Sequence, residues 1–513
     1  MSTPKSFKVH IKTYGCQMNE RDSEMIAVLL QRHGYALAER ESQADAVIVN
    51  TCSVRAKAED KAIGKLRMLI VARQEHPDRI VGAVGCMVQR LKAELFRKVP
   101  GLDFAVGTHV LARVPAILAA VRAQKLSEAH TSGRAGLPTD VSGEVPPDLW
   151  ESRDRRVGTE TEALVKAGRR AILDVAPADD PYDGHTHLPG EISAFVNILF
   201  GCDRHCAYCV VPEVRGGEWS RPARDVIAEV RQLVAHGVKE VTLLGQSIMA
   251  YGRQTPVWDQ TPAWEAADRS PRGFTEPLPR LLEALNAIPG LCRLRFTSGH
   301  PCGCTVELSR AFAELPAVCE HLHLPLQSAA DRILRRMNRG YTAGDYRVAV
   351  RRLQEAAPRI VLTTDVIVGF PTETPEEFDM TRAFLEEIGF DNVYIFKYNP
   401  RPGTPAAQWS DDVSAKEKLR RNHALLEDQG RRSQTFHQAF VGQACEVLVE
   451  GPSLRNEARW SGRTRQNILA VFEAMPLLKA GDLVTMRIAQ ATAQALYGKI
   501  ERNAECRSQN AEM

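Results

Sequence analysis

Apolar and polar positions divide the chain into three segments with different periods. From Phe7 to about Ala120, short apolar runs alternate with amphipathic ones: FKVHIKTYG, then DSEMIAVLLQRHG, then ADAVIVNTC, then the charged helical run SVRAKAEDKAIGKLRMLIVARQEHP, then RIVGAVGC. Alternation of this kind predicts an open parallel α/β sheet. From about Arg122 to Gly190 the period fails, and Pro, Gly and charge accumulate in GLPTDVSGEVPPDLWESRDRR and APADDPYDGHTHLPG, which predicts a linker or surface insertion. The βα pattern then returns with AFVNILF, KEVTLLGQ, CRLRFTS, HLHLPLQ, RIVLTTDVIVGF and NVYIFKYN, separated by helical runs such as ARDVIAEVRQLVAHG and PEEFDMTRAFLEEIG. Six parallel strands predict an incomplete (βα) barrel whose chemistry sits at the C-terminal strand ends. A loop-like stretch, YGRQTPVWDQTPAWEAADRSPRGFTEP, interrupts it. Finally ACEVLVEG, NILAVFEA and GDLVTMRIAQATAQALYGKIE alternate with period two around turn signals, the pattern of a small antiparallel β-barrel.

The cysteines carry the most specific signal. Cys202, Cys206 and Cys209 form C-x-x-x-C-x-x-C in a loop after the first barrel strand. Cubane iron–sulfur clusters usually take four thiolates, so three would leave one iron open to a reacting molecule. The bland alternatives are a zinc knuckle completed by His205 or a set of buried thiols. Cys16, Cys52 and Cys86 each stand just after a predicted strand and before a helix. In a parallel sheet such strand ends share one edge, where ligands bind, and a helix N-terminus favours the thiolate. Taken singly, each is an ordinary buried cysteine; their common position marks a second metal site.

Composition narrows the class. A chain of 513 residues has room for about three domains. With 44% hydrophobic and 25% charged residues it is an ordinary folded protein, and a net charge of +3 neither demands nor excludes nucleic acid. No run approaches the ~18 apolar residues of a membrane span and the N-terminus lacks a long apolar core, so a cytoplasmic protein is expected. In that compartment its 12 cysteines serve as metal ligands or free thiols rather than disulfides. Gln246, Gln327 and Asp365 are expected at barrel strand ends facing the mouth; the alternative is helix capping. Arg463, Arg465, Lys499 and Arg502 on the last barrel are expected at RNA phosphates; the alternative is plain solvation. His185 and His187 in YDGHTH are expected to be solvated.

Read together, KTYGCQMNERDSE, NTCSVRAKAE, VGCMVQ, GCDRHCAYCVVPEVRGGEWSR, LLGQ, HLHLPLQSAADRILRRMNRGYT and RPGTPA resemble the radical S-adenosylmethionine (SAM) methylthiotransferase family over nearly the whole chain. Gln17-Met18-Asn19 after Cys16 is similar to the MiaB-type tRNA branch, which methylthiolates isopentenyladenosine beside the anticodon. The resemblance implies a cluster domain over 1–122, a linker or insertion over 123–190, a radical SAM core over 191–434, an RNA-binding TRAM domain over 436–503 and a tail over 504–513. It implies two 4Fe-4S clusters. Cys202, Cys206 and Cys209 would hold the one whose open iron takes SAM; Cys16, Cys52 and Cys86 would hold an auxiliary one that delivers sulfur. Gln246, Gln327 and Asp365 become candidate SAM contacts, and Arg463, Arg465 and Lys499 candidate tRNA contacts. A ferredoxin- or flavodoxin-type electron donor, a sulfur donor and a monomeric state are also implied. Thr372 replaces a usual glycine, Ala329-Ala330 a usual Gly-Ser, and Cys302 and Cys304 are extra, expected to be inert thiols. Two other readings stand beside this one: a methylthiotransferase acting on threonylcarbamoyladenosine in tRNA or on a ribosomal protein, and a non-catalytic iron–sulfur RNA-binding protein.

Overall fold

The computed structural model describes residues 6–54, 56–131, 171–175, 187–258, 270–453 and 456–503. The chain divides into two compact units, Met1–Leu188 with Val210–Gly216, and Pro189–Cys209 with Gly217–Met513. The first holds six strands: β1 (Lys8–Thr13), β2 (Ala36–Leu37), β3 (Ala46–Thr51), β4 (Ile80–Gly85), β5 (Phe104–Val106) and β6 (Ile172–Asp174). All pair in parallel, in the order β2-β1-β3-β4-β5-β6. β3 and β4 are buried at every position because helices cover both faces, which is why they read as unbroken apolar runs. Val47 and Val49 meet Leu66 and Leu69 of helix Ala56–Ala72 on one face. Ala46 and Ile48 meet Ile26 and Leu30 of helix Gln17–Arg32 and Leu118 of helix Val114–Thr131 on the other.

Three expectations change here. The boundary at 122 falls inside the helix Val114–Thr131, and Ile172–Asp174, expected to be linker, forms the sheet edge β6. His187 is not solvated: its side chain is 10% exposed and its Nδ1 lies 3.1 Å from Glu24 Oε1. His185, the rest of 132–170 and 176–186, the stretch 259–269 and the tail 504–513 lie outside the described residues.

In the second unit β7 (Ser193–Asn197) runs into a two-stranded ribbon of β8 (Leu199–Phe200) and β9 (Trp219–Ser220). β10 (Glu240–Leu244) and β11 (Arg293–Phe296) extend β7 into one parallel sheet; β12 (His321–His323), β13 (Val361–Val368) and β14 (Asn392–Lys397) form another. A parallel bridge between Leu294 and Val318 joins the two, completing the six-strand incomplete barrel. Helices Ala223–Ala235, Pro277–Asn286, Val306–Glu314, Ala343–Ala356 and Pro375–Ile388 pack Val226, Leu281, Leu308, Tyr346 and Phe384 onto it in one core. Thr305, Thr342 and Thr374 cap the last three, the latter two in reciprocal boxes with Asp345 and Glu377.

The helix Ala415–Gln438 leads to a closed barrel of β15 (Ala444–Ser453), β16 (Asn456–Thr464), β17 (Leu469–Glu473), β18 (Leu483–Ala491) and β19 (Leu496–Asn503), in the order β15-β16-β17-β19-β18. It is not wholly antiparallel as expected, since β17 and β19 pair in parallel. A ring of five strands cannot alternate direction all the way round, so one neighbouring pair has to run the same way.

Within this unit the closed barrel is locked to the incomplete one through buried arginines. Leu294 and Phe296 of β11 face the helices, so Arg293 and Arg295 face the opposite way. Arg295 donates to Arg465 O at 2.7 Å and Thr464 O at 2.9 Å, and pairs with Glu240 at 2.9 Å. Arg293 donates to Arg463 O at 2.7 Å and pairs with Glu446 at 2.9 Å. Arg465, expected at an RNA phosphate, is only 3% exposed; it pairs with Glu320 at 2.8 Å and donates to Pro316 O and Val318 O. It is a fastener, not a surface contact. Arg465→Ala removes the short ion pair of Glu320 and the donor to Pro316 O and Val318 O, so it is expected to lower stability by about 3 kcal/mol or more in urea unfolding. A loss within ~0.5 kcal/mol, the size of a surface substitution, would contradict this role.

Candidate active site

In the first unit Cys16 is the N-cap of helix Gln17–Arg32, just beyond β1; Cys52 directly follows β3; Cys86 opens helix Cys86–Leu91 directly after β4. β1, β3 and β4 are adjacent and parallel, so the three cysteines line one edge of the sheet. The chain leaves β1 outward to β2 and returns to β3 on the other side. Cys16 and Cys52 therefore flank the point where strand order reverses, where a crevice opens beyond the carboxyl ends of an α/β sheet.

Residues around the cysteines tie their loops together. Asn19, fully buried, donates Nδ2 to Asn50 Oδ1 at 2.9 Å and to Thr51 O at 3.3 Å; Asn50 returns a bond to Asn19 O at 2.8 Å and another to Ser23 Oγ at 2.9 Å. That pair fastens the Cys16 turn to the strand carrying Cys52. Arg90, on the helix opened by Cys86, donates to Ser53 Oγ at 2.6 Å and pairs with Glu59 at 2.5 Å, fastening the Cys52 loop to the Cys86 helix. Gly85 has φ 98, and a Cβ there would sit 2.5 Å from Asn50 Oδ1 and 2.7 Å from Thr51 O. Only glycine lets the Cys86 turn approach β3 so closely.

Cys52 and Cys86 are buried and Cys16 is half-buried. Burial pushes the Cys86 thiol up to about 12; Arg215 opposes the shift, while Cys52, Asp22 and Cys16 add to it. These groups are thus close enough to feel one another. Among the described residues no three Cys, His, Asp or Glu side chains converge on one metal ion. A cubane asks for a wider spacing, because each thiolate meets a different iron. The three cysteines stand at the ends of three adjacent strands, one on each.

In the second unit Cys202, Cys206 and Cys209 occupy the loop after β8, with Cys202 and Cys206 buried and Cys209 half-buried. The loop turns on itself through Cys209 N to Cys206 O at 3.0 Å. Segments distant in sequence hold it from outside. Ala207 N donates to Met337 O at 3.0 Å, Ala406 N to Ala207 O at 2.8 Å, and Asn338 Nδ2 to His205 O at 2.9 Å. Arg339 places Nη1 at 3.3 Å from Cys206 Sγ and Nε at 3.2 Å from the Tyr341 hydroxyl. Sequence reasoning passed over Arg339, though it lies in RRMNRGYT. His205, the residue a zinc knuckle would need, is exposed.

Around this loop Arg204 Nη2, Glu218 Oε1 and His300 Nε2 are buried without a hydrogen-bond partner among the described residues. Arg204 also donates Nε to Ser247 Oγ at 2.8 Å. Burial and the charges of Arg339, Arg204 and Arg253 push the His300 pKa down to about 2, so its ring is neutral. Unused polar atoms beside three thiols, one of them cationic, fit a ligand that carries amino and carboxylate groups.

The expected mouth residues are only partly brought together. Gln246 is half-buried just beyond β10. Gln327 is 7% exposed with φ 71; its N–H donates to Asp365 O at 2.8 Å and its carbonyl accepts from Ile367 N at 3.0 Å. Asp365 lies inside β13 rather than at its end, 3.4 Å from His323 Nε2, because the strand continues to Val368. On the closed barrel Lys499 is exposed, Arg463 is half-exposed and 3.3 Å from Glu450, and Arg465 is buried; the Arg502 side chain lies outside what is described. Cys302 is exposed, whereas burial pushes Cys304 up to about 12. Thr372 adopts φ 72, a glycine conformation, and is held there by Asp412 Oδ1 at 2.7 Å from its N–H and by Arg332 on its carbonyl at 2.6 Å. Ala329 and Ala330 are buried, with N–H groups on Thr381 Oγ1 and Ser328 Oγ.

Three known families match the chain: residues 8–107 match Uncharacterized protein family UPF0004, residues 196–385 the Radical SAM superfamily, and residues 438–500 the TRAM domain. A tRNA-2-methylthio-N(6)-dimethylallyladenosine synthase of Opitutus terrae is 41% identical over 96% of this chain and 97% of that protein. Proteins of the same name from Akkermansia muciniphila and Methylacidiphilum infernorum are 40% and 36% identical, each over 96% of this chain, covering 98% and 94% of their own lengths. No helix among the described residues is long and apolar enough to cross a membrane. With these three family matches along the chain and relatives 36–41% identical over 96% of it, the chain belongs to the radical SAM methylthiotransferase family, that of the tRNA-2-methylthio-N(6)-dimethylallyladenosine synthases.

Proposed function

We propose that the protein converts N6-dimethylallyladenosine beside the anticodon of tRNA to its 2-methylthio derivative. The observation that carries this reading is the pair of cysteine trios, one at the C-terminal ends of three adjacent parallel strands and one in the loop after β7 and β8, in a chain related over its length to enzymes named for that product. Cys202, Cys206 and Cys209 would hold the radical cluster, and Cys16, Cys52 and Cys86 would hold the auxiliary one. When bound, clusters and SAM supply one-electron cleavage of a sulfonium bond, activation of an aromatic C–H bond and a methylated sulfur, chemistry no side chain performs as acid or base.

The chain's own residues position and shield. Arg339 fixes the Cys206 thiolate and offsets its charge, and neutral His300 with Arg204 offers hydrogen bonds to the amino-acid part of SAM. Gln246, Gln327 and Asp365 are the proposed contacts from the barrel strands. Arg463 and Lys499 are proposed to meet tRNA phosphates; Arg465, committed to Glu320, is not. A base in an anticodon loop is already unpaired, so splaying it into a barrel mouth costs less than opening a duplex. A low-potential ferredoxin or flavodoxin, a sulfur donor, a cytoplasmic location and a monomeric state complete the proposal.

Anaerobically reconstituted protein given SAM, reductant and sulfide is expected to form the 2-methylthio nucleoside on dimethylallylated tRNA, read by mass spectrometry of digests. Threonylcarbamoylated tRNA and a ribosomal protein are offered in parallel reactions. Faster modification of either would contradict the substrate assignment, and an absence of SAM cleavage under all three conditions would contradict the radical chemistry.

A further inference from the structure

Directly after Cys209 the chain enters Val210–Gly216, which belongs to the first unit and not to the barrel. Val210 and Val214 form one buried cluster with Cys86, and the Thr108 hydroxyl donates to Val214 O at 2.6 Å. This seats helix Val211–Arg215 beside the helix that Cys86 opens. Its last residue, Arg215, pairs through Nη2 with Asp22 Oδ2 at 2.7 Å; the two side chains are 6% and 5% exposed. Asp22 lies on the helix capped by Cys16. Arg215 is held charged against the penalty of burial by Asp22, Cys86 and Cys16.

A buried ion pair is weak support for stability, because desolvation consumes most of its Coulombic gain and apolar residues of similar volume do as well. Its location suggests another use. A cluster on these three thiolates, two of them buried, would be an anionic group in a poorly solvated site, and one-electron reduction or an added sulfur anion would make it more so. A fixed cation nearby favours those states, and an adjacent carboxylate limits the effect.

We propose that Asp22 and Arg215 are positioning residues that set the charge, and hence the reduction potential, of the auxiliary site at Cys16, Cys52 and Cys86. Arg215 favours the reduced and sulfur-bearing forms, and Asp22 tempers it. This inference rests on the assignment of that trio as cluster ligands.

The test uses the full chain with Cys202, Cys206 and Cys209 changed to alanine, so that the auxiliary cluster is observed alone by electron paramagnetic resonance during a reductive titration. If this background binds no iron, the ligand assignment itself fails, before Arg215 is in question. With iron bound, Arg215→Gln is expected to move the potential downward and Asp22→Asn upward. Unchanged potentials, or shifts of the same sign, overturn the proposal. Where Arg215→Gln retains no cluster, iron held by Arg215→Lys near the parent potential supports the charge role, and loss of iron from the lysine variant as well overturns it.

Discussion

Thiols placed out of contact with water are hard to ionise, and four of the six cysteines in the two trios are buried: Cys52, Cys86, Cys202 and Cys206. Burial raises the Cys86 and Cys202 thiols above the usual range. Each site carries an arginine: Arg215 in the first unit, which opposes the shift at Cys86, and Arg339 in the second, 3.3 Å from Cys206 Sγ. The surrounding architecture ties together the turns that carry the cysteines. In the sheet domain the Asn19–Asn50 exchange and the Arg90–Ser53–Glu59 group link three strand ends; in the barrel Met337, Asn338 and Ala406 hold one loop from outside.

What the sequence made legible followed from local period and spacing. β3 and β4 read as strands because both faces are buried, and the six barrel strands read as such because each is followed by an amphipathic helix. β2, β5 and β6 are two or three residues long and carry no period, so β6 was hidden inside an apparent linker. Cys202, Cys206 and Cys209 are recognised by spacing alone. Cys16, Cys52 and Cys86 needed the further step of seeing that all three end strands.

The errors share a cause as well. A charge is visible in sequence, but its partner is not: Glu320, which claims Arg465, lies 145 residues away. Arg339 and Arg215 were overlooked for the same reason, although both stand inside recognised motifs. The parallel pairing of β17 and β19 escaped notice because strand direction around a closed ring depends on the strand count, not on any one strand. Asp365 was placed at a strand end because nothing in TTDVIVGF marks where β13 stops.

The central claim is that two separate trios hold two clusters. Iron and acid-labile sulfide, counted in the anaerobically reconstituted full chain and in a variant with Cys16, Cys52 and Cys86 changed to alanine, test it most directly. The account predicts about eight irons per chain in the parent and about four in the variant, with circular dichroism unchanged and reductive SAM cleavage retained. About four irons in the parent, or an unchanged count in the folded variant, would contradict it.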